Sequence, residues 1–282
     1  MYNVTFEADN GKKYVFGHAG STVFDMDLGT GLTVNLGTTQ GFAQIGETVE
    51  SQSVSGRPIT VKGAVFGNIP ERKRTMRNVL APFTAGRLIF ENSYFIRVYV
   101  KDAPSFSPVK NDGRFTMRFY APFPYFYGME QYRKEIGAVK PLFSFPVNYS
   151  APHAFGTRGA ARYTNIYNDG DVQIPFEFVA TATGTSTNAT VTNLKTFAFL
   201  RLNGTLEAGD TVRVYRDNNN ILRAEKTSDG LVSDIIAWVD EDSTLFQLDV
   251  GDNLISANDD EGGQGLTVQF VYRTAVGAVY EA

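Results

Sequence analysis

The chain has 282 residues, of which 43% are hydrophobic and 20% charged, with a formal net charge of −4. It contains no cysteine, which excludes disulfides, thiolate zinc sites and cysteine nucleophiles. Composition near globular averages predicts a buried core, and 22 Phe and 14 Tyr beside abundant Val and Thr lean towards sheet.

No run reaches the ~18 apolar residues of a membrane span, so membrane insertion is not expected. The stretch MYNVTFEADNGKKYVF has no apolar signal segment, and no signal peptide is expected. The sequons at Asn3, Asn148, Asn188 and Asn203 are therefore read as chance matches. Charge is unevenly spread. Residues 1–140 hold 17 Lys/Arg and 12 Asp/Glu, whereas residues 141–282 hold 9 and 18. All 11 prolines lie between Pro58 and Pro175. Both divisions predict two domains, 1–140 and 141–282.

In chain order, RPITVKGAVFG is a β-prone run. It is followed by PERKRTMRNV, with Arg72, Lys73, Arg74 and Arg77 close together. Pro70 suits a first helical turn and Glu71 the helix N-terminus. Met76, Val79, Leu80 and Phe83 recur at helical spacing, and Pro82 and Gly86 stop the helix. Leu88–Phe90 and Tyr94–Val100 read as a hairpin around Glu91-Asn92-Ser93, with Ile96, Val98 and Val100 on one face. Phe115, Met117 and Phe119 alternate with polar neighbours in the same way.

From Met129 to Pro152 the pattern weakens, as in a linker. Beyond it come short strands: Gln173–Ala182 after the turn Asn168-Asp169-Gly170-Asp171, then a run with Phe197, Phe199 and Leu200. Val212–Arg216 and Ile221–Ala224 flank Asp217-Asn218-Asn219-Asn220, and Leu266, Val268, Phe270 and Tyr272 alternate. Turns at short intervals favour a β-sandwich or barrel.

Chemical motifs are sparse. His18 and His153 have no companions at metal-ligand spacing, and the acidic run Asn258–Gly263 lacks EF-hand spacing. No phosphate-binding glycine loop is present, and Gly29-Thr30-Gly31 is only a turn signal. Asp25 and Asp27 would share a strand face, a weak acid–base pair. No metal, cofactor or catalytic residue is assigned. The basic helix lacks the broad positive stripe of a nucleic-acid surface, because Glu71 interrupts it.

The succession RPITVKGAVFGN, ERKRTMRNVLAPFTAGRLIFE, YFIRVYVKDAPSFSP and GRFTMRFYAPFPYFYG resembles the N-terminal domain of the distal tail proteins of siphophages. The aromatic turn Pro124-Tyr125-Phe126 is part of the likeness, which covers Gly56 to Gly128. YNDGDVQIPFEF, LEAGDTVRVY and FQLDVGDNLISA resemble the family's second β domain more loosely. The resemblance implies a mainly β protein: an N-terminal ring-forming (belt) domain with one helix, then a C-terminal galectin-like β-sandwich. It implies a homo-hexameric ring in the virion tail tip, made in the host cytoplasm, between the tail tube protein and the tail-tip protein. In many phages such a ring also carries receptor-binding proteins, and DNA passes its channel without being read. The galectin histidine, arginine and stacking tryptophan pattern is missing around His153 and Trp238, so lectin activity is not implied.

For a ring protein the expected partner surfaces are Arg72, Lys73, Arg74 and Arg77 on the helix, and Phe123, Tyr125 and Phe126 at the aromatic turn. Each aromatic also reads as ordinary core, along with Tyr120 and Tyr127. Two rival readings are a carbohydrate-binding module for host-wall glycans and, ranked last, a wall hydrolase with paired carboxylates.

Overall fold

The computed structural model describes residues 4–17, 20–26, 32–109, 111–137, 139–141, 156–158, 162–260 and 265–279. His18, Asp27, Gly29-Thr30-Gly31, half of the linker, His153 and Glu261–Gly263 lie outside them. The chain divides into unit 1, Met1–Glu130 with Ala275–Ala282, and unit 2, Gln131–Thr274. Both are built mainly of antiparallel strands.

Unit 1 opens with β1 (Val4–Ala8), β2 (Lys13–Phe16), β3 (Ser21–Met26), β4 (Val34–Thr39), β5 (Thr48–Val54) and β6 (Arg57–Val65). Helix α1 (Ile69–Val79) follows, then β7 (Ala85–Phe90), β8 (Tyr94–Phe106), β9 (Arg114–Ala121) and β10 (Phe126–Gly128). The main sheet runs β2-β1-β7-β8-β9-β6-β3, with β10 paired to β8. The predicted hairpin is β7–β8, in register from Phe90↔Tyr94 to Ala85↔Tyr99. Period-two alternation sends Ile96, Val98 and Val100 inward from β8, and Phe115, Met117 and Phe119 inward from β9. The core centres on Phe6, Phe16 and Phe119, with Phe6 and Phe119 rings 5.4 Å apart and Phe16 edge-on to Phe119 at 6.5 Å.

Pro70 sits in the first turn of α1, as expected, and Met76, Val79 and Leu80 enter the core. Phe83 does not extend that stripe. Pro82 follows the helix end, and Phe83 turns out with a left-handed φ of 66° and 94% exposure. The outer face of the sheet is laced by ion pairs. Glu7 accepts from Lys13 at 3.0 Å and Arg87 at 2.8 Å, and Arg97 forks onto Asp9 at 3.0 and 2.6 Å.

Unit 2 contains β11 (Tyr132–Ile136), β12 (Val139–Pro141), β13 (Gly156–Arg158), β14 (Tyr163–Asn168) and β15 (Phe176–Ala182). It continues with β16 (Ser186–Thr187), β17 (Thr190–Asn193), β18 (Phe199–Arg201), β19 (Thr205–Leu206), β20 (Thr211–Arg216), β21 (Leu222–Ser228), β22 (Leu231–Asp234), β23 (Gly251–Asn258) and β24 (Leu266–Tyr272). Among the described residues its larger sheets run β11-β24-β15-β20-β21-β22 and β14-β23-β17-β18. The alternating Leu266, Val268, Phe270 and Tyr272 are all buried, as are Phe178, Ala180, Val212 and Val214 beside them. Ile166, Val191, Leu200 and Ile255 supply the buried row of the second sheet. Phe197 leaves its predicted run, taking a left-handed φ of 60° with 78% exposure. The last strand, β25 (Ala275–Val276), belongs to unit 1, where it pairs with β10.

Two buried asparagines tie the turns of the four-stranded sheet. Asn168 donates through Nδ2 to the Val172 carbonyl at 2.9 Å and accepts from the Gly170 amide. Asn253 donates to the Asp249 carbonyl at 2.7 Å and accepts from the Asp249 amide at 2.8 Å. Both are buried with their amides satisfied, so the turn residues read as family signatures serve as internal braces. Replacing Asn253 by Ala strands these backbone partners, and denaturant melts of unit 2 are expected to show a loss of about 2–3 kcal/mol.

Candidate interaction surface

The four helix cations differ in their surroundings. Asn68, at the N-cap position, donates through its side chain to Glu71 at 2.8 Å, and Thr75 Oγ1 donates back to the Glu71 carbonyl. Lys73 Nζ and Arg77 Cζ both lie 5.1 Å from the Phe106 ring centre, so the two cations share one aromatic face. Arg72 lies half-buried over Gly20, whose φ of +108° and lack of a Cβ leave room for the guanidinium. Arg74 is exposed and meets no partner among the described residues. None of the four forms an ion pair with a carboxylate among those residues, unlike six cations of the sheet.

The aromatic turn splits in two. Phe123 stacks on Tyr127 at 5.2 Å and meets Tyr125 edge-on at 5.2 Å, while Tyr127 stacks on Phe95 at 5.7 Å. Arg87 closes the row over Phe95. These rings are half-buried, and burial raises the Tyr127 hydroxyl well above the usual tyrosine range. Phe126 points the other way. It is fully buried against Phe90, with the Arg57 guanidinium 4.9 Å above its ring, and Arg57 also donates to the Gly277 carbonyl. Its ring therefore belongs to the core of unit 1.

The largest open feature was not read from the sequence. Strands β4 and β5 pair only with each other, and every residue from Thr33 to Val54 is exposed. Internal hydrogen bonds hold the hairpin, including Thr39 Oγ1 to Glu50 at 2.8 Å and Gln44 Nε2 to Thr48 at 2.9 Å. At its tip Phe42 and Ile45 are fully exposed. The available signal was a stretch, residues 28–56, with neither Lys, Arg nor Pro beside alternating Val, Leu and Thr.

In unit 2 the lone tryptophan is not a free stacking plate. Trp238 covers Gly204, where a Cβ would clash with its ring, and Lys226 lies 5.6 Å from the ring centre. A small, partly open apolar pocket is lined by Phe176, Phe178, Val214 and Phe246. Asp25, once a candidate acid, pairs with Lys62 at 3.0 Å. The described residues hold no group of three or more metal-ligating side chains, and none of their helices could cross a membrane.

Residues 169–273 match the family model of the siphovirus-type tail component, C-terminal domain. The matched stretch lies within unit 2. The tail-protein fold extends over the whole chain. It superposes on the Dit (gp 19.1) protein of phage SPP1 with a TM-score of 0.68 at 14% identity, covering 98% of this chain and 99% of that one. That protein is described as a paradigm of the hub adsorption apparatus in phages infecting Gram-positive hosts. Chains of the phage P2 baseplate in its activated conformation, with calcium or strontium, give TM-scores of 0.55 and 0.53 at 12% and 13% identity, each covering 99% of both chains. No curated protein sequence matches significantly. The resemblance of this chain to siphophage distal tail proteins therefore stands.

One ion pair of unit 2 sets a pH dependence. Lys226 Nζ lies 2.7 Å from Asp210, which also accepts from the Glu207 amide. The Lys226 hydrogen bond leads in holding the Asp210 carboxyl down at about 2, below its ordinary 3.8. A depressed carboxylate stabilises the fold above its unfolded value and loses that contribution as pH falls through the folded one. Asp210→Asn should therefore lower stability at neutral pH and flatten its decline between pH 3.8 and about 2, as read by melts across that window.

Proposed function

We propose that the chain is the distal tail protein of a long-tailed phage, a structural hub with no catalytic step and no cofactor. Six copies close a ring between the tail tube and the tail-tip protein. The ring is formed by the N-terminal domain, about residues 1–140. The domain of residues 141–282, a galectin-like β-sandwich, is then available to anchor receptor-binding proteins. The observation that carries this is whole-chain similarity to a phage hub protein together with the tail-component match in unit 2.

The surface chemistry supports it. A closed ring needs a patch on each copy and a complement on the next, with no ligand between them. Unit 1 offers an unpaired basic helix, a row of half-buried rings and an exposed hairpin. In unit 2 Trp238 is packed over Gly204 rather than free to stack on a sugar.

Electron micrographs of the purified full chain, alone and mixed with its tail-tip protein, should show sixfold rings. A chain that stays monomeric by light scattering in both conditions overturns the proposal. Replacing Arg72, Lys73, Arg74 and Arg77 together by Gln should weaken ring assembly and leave retention of duplex DNA unchanged. Lost DNA retention with intact rings would instead assign these cations to the channel wall.

A further inference from the structure

The hairpin β4–β5 makes no sense as a free element. An isolated two-stranded hairpin is marginally stable in water. This one presents Val34, Leu36, Val49 and Val54 to solvent at 41–56% exposure, and Phe42 and Ile45 fully. Both outer edges carry unpaired backbone groups, a template for another chain. Two Gly-containing bends and side-chain hydrogen bonds nonetheless hold the tip in one shape, Gly41 N–H to Gln44 at 2.9 Å and Gln40 to the Gln44 carbonyl at 3.1 Å.

Charge indicates the occupant. The arm carries Glu47 and Glu50, both exposed, and no cation between residues 28 and 56. Elsewhere in unit 1 six sheet cations pair with carboxylates, while Lys101 lies over the Tyr120 ring and Arg57 over the Phe126 ring. Helix α1 gathers its cations without an ion pair, with Arg74 and Arg77 exposed and bridged to no acid among the described residues. An acidic arm with a greasy tip and a basic helix whose only acid, Glu71, lies in its first turn are complements carried on one chain.

We propose that the β4–β5 arm docks on a second copy of this chain. Glu47 and Glu50 face that copy's Arg74 and Arg77, and Phe42 and Ile45 are buried against its unit 1. The contact is heterologous: each copy gives an arm and receives one, which propagates around a ring. The ion pairs fix register, while the two apolar side chains supply most of the affinity. The inference deepens the ring reading above and rests on it.

Two charge-reversed full chains test it. One carries Glu47→Lys and Glu50→Lys, the other Arg74→Glu and Arg77→Glu. All four residues are exposed, so both variants should melt like the wild type. Each alone should need at least about tenfold more protein for half-assembly in light scattering, since like charges then meet. Mixed in equal amounts they should recover wild-type assembly, because alternating copies restore every contact. Phe42→Ser with Ile45→Ser should likewise weaken assembly at least about tenfold without lowering the melting temperature. Wild-type assembly by the single variants, or no recovery on mixing, overturns the docking while leaving the ring intact. A wild type that never assembles overturns the ring reading itself.

Discussion

Everything in unit 1 depends on the alternation of β8 and β9 against β6. Their inward residues, Ile96, Val98, Met117, Phe119, Ile59 and Val61, are essentially inaccessible to water. That row gives Phe6 and Phe16 a surface to pack on and gives Met76 and Leu80 of the helix a floor. A one-residue slip would reverse every side chain on a strand and expose the whole row. Such a fault could not be repaired locally, so register is strongly specified wherever one face is buried.

The same alternation decides where charge can go. With one face committed to the core, Arg87, Arg97 and Arg118 emerge on the other, where neighbouring strands place Glu7, Asp9 and Asp102 within reach. Exposed pairs of this kind contribute little to stability, but they neutralise the sheet surface. The strands under helix α1 supply no carboxylate to its cations among the described residues. The cations of α1 therefore lean on aromatic and glycine surfaces or face water, and unit 1 is left with positive charge uncompensated.

Unit 2 solves its bracing differently. Where unit 1 relies on stacked phenylalanines, unit 2 pins its turns with Asn168 and Asn253 and with the Lys226–Asp210 pair under Trp238. The lone tryptophan and this carboxylate are thus both engaged internally. Trp238 is a lid on Gly204, and Asp210 is a structural anion.

What the sequence determined alone was local. Period-two alternation in Tyr94–Val100 and Phe115–Phe119, the Pro70-initiated helix and the 266–272 strand were all legible, because burial on one face imposes a pattern that needs no knowledge of partners. The quoted segments also carried the family resemblance. Tertiary structure alone decided which alternating or aromatic residues were core and which were surface. Phe126 and Phe123 sit three positions apart in one turn, yet one is sealed under Arg57 and the other lies in an outer stack. Phe83 fits a helical stripe on paper, yet the chain has already turned away after Pro82. The β4–β5 arm was invisible for the same reason: its residues pattern like any strand pair, and only the absence of a sheet beneath them makes it an arm. Hydrophobic spacing encodes how a segment folds, whereas what lies against it depends on contacts between residues far apart in the chain.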